Sequence, residues 1–140
     1  SGILAILSAK LGAQNIVALD IDPIAVERAI ENTSLNSVDD VIEVSEGSLP
    51  LANQDFLHIE RDRWASGAFD IVVANILAHV IAELAPAIMT ALKPNGIAIC
   101  SGIITDGFSH ALDALTEYGA TLVDATSNGD WRALVVTKRS

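Results

Sequence analysis

Residues 16–23, IVALDIDP, contain a change from strand to helix that decides how the chain can fold. The apolar run at the start of this segment has the length of a buried strand, and it ends at Asp20. Asp22 followed by Pro23 is typical of a helix start, because a carboxylate at the N-cap accepts a free backbone N–H and proline lacks one at the next position. The segment therefore predicts a strand followed by a helix, which we expect to end at Asn36.

The same alternation continues along the chain on both sides of this unit. It is typical of an α/β fold built from βαβ units around a mainly parallel sheet. The turn at residues 127–130, SNGD, is short enough to make the strands on either side of it antiparallel, so we expect an antiparallel last strand. Further strands are predicted at residues 41–44, 69–74, 97–100, 121–123 and 131–137, and further helices at residues 2–11, 79–92 and 107–118.

Composition limits the class of protein. The 140 residues are 51% hydrophobic, 19% charged and only 4% aromatic, which predicts one domain, residues 1–140, with an aliphatic core. The formal charge of -10 opposes phosphate backbones, so we expect no direct nucleic-acid partner. Apolar runs are too short to cross a bilayer, and Cys100 with three scattered histidines makes neither a disulfide nor a tetrahedral metal set. We therefore expect a cytoplasmic protein with no metal and no membrane contact.

Polar residues at the carboxyl ends of strands are the candidates for ligand binding, because ligands of open parallel sheets bind there. They are Asp20, Gly47 with Ser48, Asn75 and the segment before Ile3. Asp20 lies 18 positions after Gly2, close to the roughly 20 expected of a carboxylate that accepts the ribose hydroxyls of a nucleoside cofactor. The alternatives are structural: Asp20 could bond only to backbone at the strand end, and Asn75 could end its strand through a local side-chain turn.

Several motifs together carry a resemblance to a known family. Residues 1–4, SGIL, resemble the tail of the glycine-rich first motif of class I S-adenosylmethionine-dependent methyltransferases, and residues 19–23, LDIDP, resemble their second motif. Four further segments belong with these motifs: EGSL at 46–49, VANILA at 73–78, LKPNG at 92–96 and SGI at 101–103. With them and a late Trp131, the chain resembles the PrmA family, which methylates the large-subunit ribosomal protein L11.

This resemblance implies a Rossmann-like class I methyltransferase sheet and S-adenosyl-L-methionine as the cofactor. Gly2 would then contact the methionine part of the cofactor and Asp20 the ribose, while Gly47 and Ser48 would lie beside the adenine. Asn75 would face the transferable methyl as the catalytic residue, with its carbonyl accepting a hydrogen bond from the target nitrogen. The implied reaction is methyl transfer to amino groups of the ribosomal protein.

The resemblance also implies elements that this chain does not contain. The first strand of the family's sheet would precede Ser1, and a separate N-terminal domain would hold the ribosomal protein. We therefore expect a catalytic domain truncated at its N-terminus. Other interpretations stay open: a methyltransferase for another protein or a small molecule, a dinucleotide-binding module, or an inactive fragment. The oligomeric state is not predicted.

Two further parts of the chain, residues 49–67 and Trp131, carry weaker signals. Residues 49–67 are interpreted as a surface connection, with a short helix around Phe56 and the charged pair Arg61 and Arg63 on a solvated face. Trp131, at the start of the last strand, could lie beside the target site or pack in the core.

Overall fold

The structure, a computed structural model, describes residues 1–49 and 67–139. The expected helix around Phe56 and the side chains of Arg61 and Arg63 lie outside these residues. The chain divides into two compact units, Ser1–Ser48 and Leu49–Ser140, and each is described by itself.

The first unit contains one parallel pair of strands and two helices. The strands pair from Ile16 with Ile42 to Asp20 with Glu46, so both end at the same edge. Helix α2 (Pro23–Leu35) begins as the sequence predicts, because the Asp22 carboxylate accepts the Ile24 N–H at 2.9 Å and Pro23 occupies the first turn. The elements are α1 (Ile3–Lys10), β1 (Ile16–Asp20), α2 (Pro23–Leu35) and β2 (Ile42–Glu46).

The second unit contains a four-stranded sheet. Its strands lie in the order β3 (Phe69–Asn75), β4 (Leu92–Ile104), β6 (Trp131–Lys138) and β5 (Ala120–Asn128). β3 and β4 are parallel, and β6 is antiparallel to both of its neighbours. The last strand is thus inserted between two strands that run the other way, and the expected mainly parallel α/β architecture with an antiparallel last strand is confirmed. The elements are β3 (Phe69–Asn75), α3 (Ala78–Ala91), β4 (Leu92–Ile104), a 3₁₀ turn (Thr105–Gly107), α4 (Phe108–Glu117), β5 (Ala120–Asn128) and β6 (Trp131–Lys138).

The core of the second unit forms where α3 and α4 pack on this sheet. Its side chains are aliphatic, as the low aromatic content predicts, and the sheet contributes alternate residues because side chains of a strand point to opposite faces. Burial of each large aliphatic side chain contributes about 1.5–3 kcal/mol. Fully buried members include Ile81, Ile88, Leu115, Leu134 and Val136.

Two predicted boundaries in this sheet are wrong. β4 begins at Leu92, so residues 93–96, which separate the predicted helix at 79–92 from the predicted strand at 97–100, belong to the strand. They form an irregular stretch, since Phe69 pairs with Leu92 and Ile71 already pairs with Ile97. β5 runs on to Asn128 although its outer half is polar and exposed. Pairing with β6 keeps these polar residues extended. The amino-acid sequence of this half contains no apolar pattern that would have predicted a strand.

Candidate functional site

The carboxyl end of β1 in the first unit holds the half-buried Asp20. Its Oδ1 accepts the Asp22 N–H at 3.0 Å, which is the kind of backbone bond that the structural alternative requires. A carboxylate has about four lone-pair sites and this bond uses one of them, so Asp20 keeps acceptor capacity for a ligand. The backbone bond also holds the carboxylate at the strand end, which reduces the entropy lost when a ligand binds.

The turn after β2 lies directly beside Asp20. The Gly47 N–H donates to the Asp20 carbonyl at 2.9 Å, and Gly47 has φ 143°, a conformation that favours glycine. Ser48 follows it and is half-buried. Because the Gly47 N–H is occupied, a hydrogen-bond donor to an adenine edge would have to come from another group in this turn.

Gly2 forms the N-terminus of α1 with φ 74°. A Cβ at this position would lie 3.2 Å from the Cβ of Ala29, so the backbone of the loop passes close to α2. The Asn32 amide donates to the Ser1 carbonyl at 2.9 Å and holds the same loop against this helix. The structure therefore gives Gly2 a packing role, whatever ligand the loop contacts.

Asn75 ends β3 in the second unit and is exposed. It pairs with Ser101 of β4, and the Ile76 N–H donates to the Ser101 carbonyl at 3.2 Å. Within residues 1–49 and 67–139 the Asn75 carboxamide makes no hydrogen bond, so the local side-chain turn considered from the sequence is not observed there. The carboxamide keeps both its acceptor and its donors for a ligand.

A cleft of about 470 Å³ opens beside Asn75. Trp131 lines it with 56% of its surface exposed, which excludes the core position that the sequence left open. Arg132 is the only charged residue among the described residues that line the cleft, and its guanidinium donates to the carbonyls of Gly129 (2.9 Å) and Trp131 (3.1 Å). The lining residues are Asn75, Ser101, Gly102, Thr126, Ser127, Asn128, Trp131, Arg132 and Ala133.

Sequence reasoning assigned no role to Gly102 or Arg132. Gly102 has φ 78°, and a Cβ on it would lie 2.6 Å from Oδ1 of Asn75. No periodic pattern marks such a residue, because the approach depends on the pairing of β3 with β4. The available signal was a glycine two residues after the predicted strand at 97–100, since glycine in or beside a strand often marks a bulge or a close approach of backbone.

Cys100, one residue before the cleft, is fully buried in β4. Burial raises the pKa of its thiol to about 11, so the thiol is neutral at physiological pH and is no nucleophile. Among the described residues no group of three or more His, Cys, Asp or Glu side chains could hold a metal ion. The helices in the described ranges are all too short or too polar to span a membrane.

Solved structures define the class to which this fold belongs, the Rossmann-like class I methyltransferases. A ribosomal protein L11 methylase from Lactobacillus delbrueckii subsp. bulgaricus superimposes with a TM-score of 0.82 at 34% identity, covering 99% of this chain and 65% of that one. An RNA methyltransferase from Salinibacter ruber in complex with S-adenosyl-L-homocysteine gives a TM-score of 0.69 at 17% identity, over 99% of this chain and 74% of that one. The second likeness shows the fold alone.

The particular family follows from sequence comparison. The family model described as ribosomal protein L11 methyltransferase (PrmA) matches residues 1–139, and the chain belongs to this family. It is 41% identical to the ribosomal protein L11 methyltransferase of Chloroflexus aurantiacus over 96% of this chain and 45% of that protein. The Carboxydothermus hydrogenoformans relative is 43% identical over 99% of this chain and 41% of that protein. The chain thus spans less than half the length of these curated relatives. The expected family is confirmed.

Proposed function

We propose that this chain supplies the cofactor-binding and methyl-transfer residues of a ribosomal protein L11 methyltransferase that modifies amino groups. The observation that carries the proposal is the family match over nearly the whole chain, which includes both polar strand ends, Asp20 and Asn75. The names of the relatives support ribosomal protein L11 as the substrate. A ribosomal protein as substrate favours a cytoplasmic location.

The cofactor proposed is S-adenosyl-L-methionine, and the residues of the first unit suit it. Asp20 would accept hydrogen bonds from the ribose hydroxyls, and the side-chain-free backbone at Gly2 would contact the methionine part. Gly47 and Ser48 would lie beside the adenine. The cofactor supplies a methyl group already activated on a sulfonium, so the protein needs no nucleophile of its own.

Asn75 is the proposed catalytic residue, and its task is to position the target nitrogen. Its carbonyl oxygen would accept an N–H of the amine and aim the nitrogen lone pair at the methyl carbon. Orientation of this kind accounts for a large part of the rate in two-reactant steps. The unpaired state of the carboxamide among the described residues supports this role.

The target amine must be neutral to react, although the pKa of a lysine amine is about 10.4 and that of an α-amino group is about 7.7–8.0. The cleft beside Asn75 favours the neutral form of an amine. Its described lining residues include the positively charged Arg132 and no acidic side chain. A nearby positive charge lowers the pKa of an amine. The charge of the cleft therefore fits a target amine that reacts in its neutral form.

The test uses the complete gene product, purified L11 and methyl-labelled S-adenosyl-L-methionine, with peptide mass spectrometry to locate the label. We expect label on lysine or α-amino nitrogens, and none on L11 whose amines have been acetylated. Asn75→Ala should lower kcat about 100-fold with nearly unchanged affinity for the cofactor. The exposed Asn15 in the first unit provides the control Asn15→Ala, which should keep full activity.

Three results would contradict the proposal: no transfer to L11, label on an atom other than nitrogen, or full activity of Asn75→Ala. Calorimetric titration with the two ligands distinguishes the proposed methyltransferase from a dinucleotide-binding module. We expect the complete protein to bind S-adenosyl-L-homocysteine and not NADH, and the opposite result would reject the methyltransferase assignment.

A further inference from the structure

We propose that Gly102 is a positioning residue for methyl transfer, because the absence of its side chain lets the Asn75 carboxamide and the Ile76 carbonyl occupy their places at the end of β3. The inference rests on the proposed role of Asn75 and adds a second residue to it. Gly102 acts through these groups and needs no contact of its own with a substrate.

The backbone around Gly102 is irregular in a way that brings it close to Asn75. Ser101 is the pairing partner of Asn75, and the pairing of β4 with β6 shifts register between Cys100 and Ile103. Gly102 lies inside this shift with φ 78°, in the left-handed region that glycine tolerates best. Such bulges redirect the chain and are frequent beside active sites.

The distances show what a side chain at this position would displace. A Cβ on Gly102 would lie 2.6 Å from Oδ1 of Asn75, 3.0 Å from the carbonyl oxygen of Ile76 and 3.2 Å from its nitrogen. Ordinary contacts begin at 3.4 Å, so the Asn75 oxygen would have to move by about 0.8 Å. Both displaced oxygens are hydrogen-bond acceptors that face this side of the strand end.

The displacement would affect the site more than the fold. Oδ1 is the far end of an exposed side chain without a hydrogen bond to another described residue, so it can rotate away easily. The Ile76 backbone needs to yield by only a few tenths of an ångström. A misplacement of about 1 Å in a catalytic geometry can lower the rate roughly 100-fold.

The chain contains a matched control for backbone strain. Gly119 also has a positive φ, 95°, and a Cβ there would meet no atom within 4 Å. Gly119→Ala therefore carries the cost of a left-handed alanine without a contact to Asn75. The comparison of Gly102→Ala with Gly119→Ala therefore separates the effect of the Cβ contact with Asn75 and Ile76 from the effect of backbone strain.

The experiment measures kcat, KM for S-adenosyl-L-methionine and the melting temperature in the complete gene product. The variants are Gly102→Ala, Gly119→Ala, Asn75→Ala and the double variant of Gly102 and Asn75. We expect Gly102→Ala to lower kcat 30- to 100-fold, as about 1 Å of misplacement predicts, with KM nearly unchanged. Gly119→Ala should keep kcat. On the Asn75→Ala background, Gly102→Ala should lower kcat less than about threefold, because the Asn75 oxygen is gone and only the small shift of the Ile76 backbone remains.

The outcomes separate this inference from the proposed function. Full activity of Asn75→Ala would remove the proposed role of Asn75 itself. A large loss of kcat in Asn75→Ala together with an unchanged kcat in Gly102→Ala would overturn only the inference about Gly102. The same inference would be overturned if Gly102→Ala lowered kcat equally in the otherwise unchanged protein and in Asn75→Ala. If Gly102→Ala does not fold, recovery of folding in the double variant supports the contact, and continued failure to fold overturns it.

Discussion

Asp20→Asn tests whether the carboxylate at the end of β1 binds the cofactor ribose. The substitution keeps one carbonyl oxygen, which can still accept the Asp22 N–H that Oδ1 now accepts at 3.0 Å. It removes the negative charge and replaces the second oxygen with a donor. The local backbone bond is thus preserved while the ability to accept two hydroxyls is lost.

The expected magnitude follows from the bonds removed. A hydrogen bond to a charged group contributes about 1.5–3 kcal/mol, and Asp20→Asn removes one such bond to a ribose hydroxyl. At about 1.4 kcal/mol for each factor of ten, the Kd for S-adenosyl-L-homocysteine should rise roughly 10- to 150-fold. The melting temperature should change little, because the bond to Asp22 remains.

The assay is isothermal titration calorimetry of S-adenosyl-L-homocysteine on the complete gene product, and Asp22→Asn is the matched control. Asp22 is a carboxylate two residues away whose side chain caps α2, and asparagine caps helices about as well. The control should therefore keep both affinity and melting temperature. Unchanged affinity in Asp20→Asn would refute the ribose assignment, and equal losses in the two variants would show that general charge is responsible.

Three further predictions concern stability and substrate binding. Asp22→Ala removes the cap bond to Ile24, so the free energy of unfolding measured with urea should fall by about 1 kcal/mol; no change would contradict this. Burial raises the pKa of the Cys100 thiol from its ordinary value of 9.0 to about 11, so the contribution of the neutral thiol to the free energy of unfolding is fully present below pH 9. Between pH 9 and pH 11 the free energy of unfolding should fall with pH more steeply than in Cys100→Ala, by about 1.4 kcal/mol per pH unit. Urea titrations at several pH values measure this dependence, and the same dependence on pH in both proteins would reject the burial argument. Trp131→Ala removes the exposed aromatic wall of the cleft, so KM for L11 should rise about tenfold with cofactor affinity unchanged; an unaltered KM would place Trp131 outside the substrate site.

Local signals were sufficient for most of the fold. Asp22 and Pro23 predicted the start of α2, and the turn before Trp131 predicted an antiparallel hairpin, because capping and tight turns depend on neighbouring residues alone. Strand ends likewise identified Asp20 and Asn75 as candidates. Those features depend on a few consecutive residues, and the amino-acid order is enough to predict them.

Features that depend on strand pairing required the folded chain. The irregular pairing at residues 93–96 depends on the register of β3 and β4. The exposure of Trp131 depends on the position of β6 within the sheet. The approach of Gly102 to the Asn75 oxygen combines register with a left-handed backbone. Side-chain neighbours across a sheet are set by pairing between segments that are distant in sequence. The amino-acid order was therefore enough to predict the polar residues at strand ends. Only the tertiary structure decided which neighbouring atoms hold those side chains in place.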